Sequence, residues 1–174
     1  MTGVQTCALP IFTIALSRNY RVRLGDISTA FLHTLLPEGQ RIIVEAPSEY
    51  YPEGTYWELL RPLYGLKTAP RCWQGHFATV MKNLGGIRMK SDPNLYYFPE
   101  TDNYVLVYVD DLMIVGATPD ELFEKIAQQL LLRPTGELKE GSTQNFLGRK
   151  LRHTGQSIQL LTADGYIEEM LEEN

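Results

Sequence analysis

Two adjacent aspartates, Asp110 and Asp111, interrupt what would otherwise be one long apolar run, with Val105 to Val109 before them and Leu112 to Val115 after. The pattern YVLVYVDDLMIVG predicts a β-hairpin, two strand-forming segments with both carboxylates at the turn. Neighbouring carboxylates between buried strands repel each other and resist leaving water. Three arrangements accommodate them. The turn can be fully solvated, since aspartate favours turn geometry. One carboxyl can stay protonated. Or a divalent cation can neutralise the pair.

Asp26 sharpens the choice. It ends the segment YRVRLGD, whose alternation of polar and apolar residues predicts a strand over 20–26. Three carboxylates at the ends of adjacent strands suit two Mg²⁺ ions, which prefer hard oxygen ligands and keep positions open for water and phosphate. A pair of such ions serves phosphoryl transfer. The pairing is spatial, because Asp26 lies far upstream of the other two.

The remaining pattern is mixed. STAFLHTLL predicts a short helical turn stopped by Pro37, RIIVEA and YWELL two strands, and Pro47, Pro52 and Gly54 the loop between them. A helix is expected over residues 70–84, with Trp73, Phe77, Val80 or Met81, and Leu84 on one face and Gly85-Gly86 at its end. LYYF is strand-like. Thr118-Pro119-Asp120-Glu121 predicts a helix start with Thr118 as N-cap, the helix running to about Leu132 before Pro134 and Gly136 break it. NFLGRKL and SIQLL predict a final strand pair, and ADGYIEEMLEE a last amphipathic helix. Strands and helices without strict alternation predict an α+β fold, an antiparallel sheet with helices packed on one face.

Composition narrows the function classes. A 44% hydrophobic, 21% charged chain is globular in balance, and no apolar run approaches the ~20 residues that span a bilayer. The net charge of −5 argues against a nucleic-acid surface. Two facts soften this: metal-binding carboxylates count as negative only until the metal is included, and Glu168, Glu169, Glu172 and Glu173 crowd one end. Basic residues cluster earlier, at Arg18, Arg21, Arg23, Arg61, Lys67 and Arg71. Cys7 and Cys72 lack a CxxC spacing and suggest no disulfide framework or zinc site; His33, His76 and His153 are isolated in sequence and read as structural, and the setting reads as reducing and intracellular. Met1 to Ile11 carries no charge and no clear period. It resembles a translated sequencing-library adapter, so a segment foreign to the domain is expected over 1–11, the native domain over 12–174, and more natural chain upstream.

Several motifs together carry a family resemblance. YVDD at 108–111 resembles the active-site hairpin of reverse transcriptases. GDISTAFLH at 25–33 and LYGLKTAPRCW at 63–73 resemble the first and second blocks of copia-type retrotransposon reverse transcriptases, and SDPNLYY at 91–97 and NFLGRKL at 145–151 resemble further blocks in the same order. The resemblance covers residues 12–174, and the second block is the most specific to the copia group. Thr68 stands where these elements more often have Gln.

The resemblance implies a polymerase palm with Asp26, Asp110 and Asp111 as the catalytic, metal-binding triad. Asp26 and Asp110 would be the principal ligands, helped by the Ile27 carbonyl, for two Mg²⁺ ions that Mn²⁺ can replace. It implies that Phe31 lies under the incoming sugar and excludes a 2′-hydroxyl. Tyr64, Gly65, Lys67, Pro70 and Arg71 would meet the nascent base pair, template-primer or nucleotide, and Phe146, Leu147 and Gly148 would grip the primer end. Expected partners are an RNA/DNA template-primer, dNTPs, and polyprotein segments outside this sequence: fingers, thumb, RNase H and integrase. The expected setting is a cytoplasmic particle or the nucleus, with no membrane. Without those segments negligible polymerase activity is expected from this chain alone. Two other classes stay open: a different palm-type nucleotidyl enzyme such as a cyclase, and an inactive or co-opted fragment that only folds or binds nucleic acid. A simple cation-binding domain is disfavoured, because the sequence lacks the D-x-D-x-D-G ligand spacing of calcium loops.

Overall fold

Alternation and apolar runs become strands in the computed structural model, which describes residues 3–161, with side chains from residue 10. In chain order the elements are α1 (Gly3–Arg18), β1 (Arg21–Ile27), a 3₁₀ turn (Ala30–His33), β2 (Ile43–Glu45), β3 (Tyr56–Glu58), α2 (Ala69–Asn83), β4 (Ile87–Arg88), β5 (Leu95–Phe98), β6 (Asn103–Tyr108), β7 (Asp111–Gly116), α3 (Pro119–Ala127), β8 (Leu132–Leu138), β9 (Thr143–Phe146), β10 (Arg149–His153) and β11 (Ile158–Leu161). The expected last amphipathic helix, at 163–173, lies outside the described residues. None of the described helices is long and apolar enough to cross a membrane.

The chain forms two units. The first comprises the residues up to Ser28 and those from Val80 onward. Its sheet has the order β4-β5-β6-β7-β1-β8, and every pairing in it is antiparallel. β6 and β7 are apolar almost throughout because both faces of the sheet are covered. On one face Ile11, Phe12 and Ala15 of α1 pack with Val22, Leu24, Met113 and Val115, joined by Phe146 and Leu151 of the small sheet β11-β10-β9. Neighbouring strand residues point to opposite faces. Gly25, next to Leu24, accordingly faces α3, where a Cβ would sit 2.7 Å from the Phe123 ring. The α+β class and the antiparallel sheet are as expected, with α1 on one face and α3 on the other.

Four local expectations change. Residues 3–11, within the stretch read as aperiodic, belong to α1, which contains Pro10. The helix begun at Pro119 ends at Ala127, and Thr118 makes no side-chain cap hydrogen bond. The residues read as its breakers form strand β8 instead. Pro134 is tolerated there because β8 is an edge strand and because the pairing skips Thr135, a bulge beside Pro134. NFLGRKL folds back on itself, with Phe146 paired to Arg149, so three strands form where two were expected.

The second unit, Thr29–Thr79, holds the 3₁₀ turn, the β2-β3 hairpin and most of α2. α2 starts one residue earlier than expected and buries Trp73, Phe77, Val80 and Met81, the predicted face.

Candidate active site

Register brings the aspartates together. β1 and β7 pair so that Asp26 lies directly opposite Asp111. Tyr108 pairs with Asp111 across the next hairpin, so Val109 and Asp110 are its two turn residues. The expected turn placed both aspartates at its tip; the pairing moves by one residue, leaving Asp110 on the turn and making Asp111 the first residue of β7. That shift matters, because a one-residue slip sends a side chain to the other face. Asp111 follows the same alternation as Met113 and Val115, and Asp26 that of Val22 and Leu24, so both carboxylates belong to the face that α1 covers. The Ile27 backbone N–H donates to the Asp110 carbonyl at 2.7 Å and ties the turn to β1.

The turn is strained. Val109 has φ 56°, whereas Asp110 is not in the positive-φ region, the pattern of a II′ turn that normally has glycine first. A β-branched residue in this region costs on the order of 1–3 kcal/mol and persists only where surrounding structure enforces it.

Asp111 is half-buried. Loss of solvent, then the neighbouring charges of Asp110 and Asp26, push its carboxyl above the usual carboxylate range; a backbone hydrogen bond from Leu147 opposes the rise. That donor comes from the β9-β10 hairpin, whose turn residues Leu147 and Gly148 have φ 54° and 68°. Two positive φ values are those of a I′ turn, with glycine where it is favoured. Asp26 and Asp111 line an open cavity of about 490 Å³ together with Arg133, Asn145, Phe146 and Leu147.

The donor set is hard oxygen and suits Mg²⁺ or Mn²⁺ in kind. Among the described residues, however, no three His, Cys, Asp or Glu side chains are gathered closely enough to hold an ion together. Mutual repulsion opposes gathering three carboxylates at one point, and a bound cation would offset it. Two carboxylates are neighbours on the sheet, and the third stands on the adjoining turn.

The other expected site residues fall in the second unit. Phe31 is 7% exposed and its ring lies 4.6 Å from that of Tyr64, itself 59% exposed. Gly65, with φ 95°, shapes the turn before α2. Lys67, Pro70 and Arg71 are exposed, the last two in the first turn of α2. Arg133 was not anticipated. It is the register partner of Asp26 on β8, hidden in the sequence because Pro134 and Gly136 read as breakers.

A family model described as reverse transcriptase (RNA-dependent DNA polymerase) matches residues 7–174. The retrovirus-related Pol polyprotein from transposon TNT 1-94 of Nicotiana tabacum is 34% identical over 180 residues, covering 99% of this chain and 13% of that protein. The putative transposon Ty5-1 protein of Saccharomyces cerevisiae is 31% identical over 148 residues, covering 82% of this chain and 46% of that protein. The chain thus spans less than half the length of either relative. Among solved structures, apo telomerase from Candida tropicalis, truncated from its C-terminal domain, shares the fold. It superposes with a TM-score of 0.50 at 10% identity, over 92% of this chain and 40% of that one.

Proposed function

The chain belongs to the reverse transcriptase (RNA-dependent DNA polymerase) family, and from that premise we propose that it supplies the catalytic carboxylates of a copia-type retrotransposon polymerase, joining deoxynucleotides to a primer 3′-hydroxyl on an RNA template. The observation that carries this is the register: Asp26 opposite Asp111, with Asp110 on the adjoining turn. Asp26 and Asp110 are the principal metal ligands, with Asp111 and the Ile27 carbonyl as further oxygens. When bound, two Mg²⁺ ions lower the pKa of the attacking hydroxyl and stabilise the leaving pyrophosphate. The carboxylates of this chain gather around that charge, and the Leu147 N–H keeps the Asp111 carboxyl oriented while they do.

Family resemblance assigns the rest. Phe31 lies beneath the incoming sugar, Tyr64, Gly65, Lys67, Pro70 and Arg71 meet nucleotide or template-primer, and the turn Phe146 to Gly148 holds the primer end. Template-primer, dNTPs and the other segments of a Pol polyprotein are the partners.

Primer extension tests this reading, using an RNA template, a labelled DNA primer and dNTPs with Mg²⁺, with the flanking polyprotein segments supplied. Template-directed addition that disappears in Asp110→Asn is expected. Addition that persists in that variant, or cyclised nucleotide made without template, refutes it. A second reading, a fragment that folds and binds nucleic acid without catalysis, draws on the absence of a gathered three-carboxylate cluster among the described residues. Metal-independent RNA binding with no addition by either chain favours it.

A further inference from the structure

An odd spacing on β8 aims one more side chain at the aspartates. Strand residues alternate between faces, so residues three apart belong to opposite faces unless a bulge intervenes. Gly136 pairs with Leu24, on the face that α1 covers, and a Cβ there would run into the amide oxygen of Gln144, which lines the cavity beside Asp26 and Asp111. Arg133, three residues earlier, pairs with Asp26 on that same face. The unpaired Thr135 makes this possible, because it adds one residue to β8 and reverses the alternation on its N-terminal side. Leu132 gives an independent check. Its Cδ1 would lie 2.9 Å from a Cβ on Gly25, on the α3 face, so its neighbour Arg133 points the other way. Without the bulge Arg133 would face α3.

The outcome is a row across three neighbouring strands, with Asp111 on β7, Asp26 on β1 and Arg133 on β8. Side chains directly opposite in an antiparallel pair have Cβ atoms about 4.5–5.5 Å apart. All three line the open cavity of about 490 Å³, and among its lining residues Arg133 is the one cation, facing two anions. The arginines of β1 are differently disposed. Arg21 lies 2.6 Å from Asp120 and 2.7 Å from Glu137, and Arg23 lies 3.6 Å from Asp120. Arg133 makes no ion pair among the described residues and is exposed. Its charge therefore acts on the carboxylates across the cavity, not through a contact.

We infer that Arg133 is the counter-charge of the aspartate row, a positioning residue that offsets the charges of Asp26 and Asp111 in the metal-free chain and lowers the affinity of the cavity for a divalent cation. A fixed cation stabilises nearby carboxylates when no metal is bound and repels a metal that enters. Arginine cannot lose its proton to relieve that competition. The metal half of the inference rests on the reading of Asp26 and Asp110 as ligands; the coupling between Arg133 and Asp26 does not.

Two measurements test the two halves separately. In EDTA at neutral pH, Arg133→Gln is expected to melt about 1–3 °C below the parent, the scale of an exposed charge interaction. Arg133→Lys keeps the charge and is expected to melt with the parent. In an Asp26→Asn background the loss from Arg133→Gln is expected to shrink or vanish, the mark of direct coupling. In Mn²⁺ titrations followed by electron paramagnetic resonance, Arg133→Gln is expected to bind about three- to tenfold more tightly than the parent, and Arg133→Lys as the parent does. That gap should narrow in ~1 M salt, where the screening length falls to about 3 Å. An Arg133→Gln loss of equal size with and without the Asp26 carboxylate overturns the inference. So does a glutamine variant that binds Mn²⁺ no more tightly than a parent that binds it. A parent that binds no Mn²⁺ overturns the metal reading of the aspartates instead, and the melting cycle then decides whether Arg133 is their counter-charge.

Discussion

Replacing Asp111 by asparagine is predicted to stabilise the metal-free chain at neutral pH. Asp111 stands directly across from Asp26 and one residue from Asp110. A directly opposed like-charge pair costs roughly 0.2–1 kcal/mol, and Asp110 adds to it, whereas half-exposure and solvent screening hold the sum to about 1 kcal/mol. Asparagine removes the charge, keeps the shape, and leaves an amide oxygen to accept from Leu147. For a chain of this size that gain corresponds to a melting-temperature rise of about 2–4 °C. The sign with pH follows from the upward shift of the Asp111 carboxyl. The folded state holds the Asp111 proton more tightly than the unfolded one. Its stabilising effect is therefore fully present below the ordinary carboxylate pKa of about 3.9, and is lost as pH rises through the higher folded value. The asparagine gain therefore exists at neutral pH and vanishes in acid. Calorimetric melting in EDTA across that range reads both. A variant that melts below its parent at neutral pH, or gains equally in acid, refutes the reasoning.

Three further outcomes follow from the geometry. Val109→Gly relieves a left-handed backbone worth about 1–2 kcal/mol at the cost of about 0.5–1 kcal/mol of chain entropy, a net gain of about 0–1.5 kcal/mol, so thermal melting holds or rises by up to about 6 °C, and a fall contradicts the strain. Gly25→Ala places a Cβ 2.7 Å from Phe123 and 2.9 Å from Leu132, with the Arg133 carbonyl at 3.1 Å. About 1–3 kcal/mol should be lost in urea titration, and the neighbouring Asp26 should shift with the strand. Phe31→Ala loses a buried ring, about 3–5 kcal/mol; with the flanking segments supplied, ribonucleotide addition should rise relative to deoxynucleotide, and unchanged discrimination removes the gate role.

Much of the candidate site's local structure could be read from the sequence because its signals are local. The apolar runs around Asp110 and Asp111 define a hairpin whatever else the chain does, and the alternation over YRVRLGD marks β1. Register was not readable. Whether the tip was Val109-Asp110 or Asp110-Asp111 depends on cross-strand pairing, and valine is a poor turn residue by propensity, so its left-handed φ is imposed by tertiary structure. Strand β8 was hidden for the opposite reason: Pro134 and Gly136 are breakers in isolation, and only an edge position with a bulge makes them acceptable. The Leu147 contact to Asp111 joins segments well apart in sequence, and a hairpin turn announces its geometry but not what its N–H will meet.

Manganese binding, followed by the loss of the free-ion electron paramagnetic resonance signal, tests the central claim most directly. The parent chain is predicted to bind Mn²⁺ and to release it when Mg²⁺ is added in excess, and Asp26→Asn and Asp110→Asn are each predicted to lose that binding while still folding. Equal Mn²⁺ affinity in the parent and both variants would show that these carboxylates do not share a metal site.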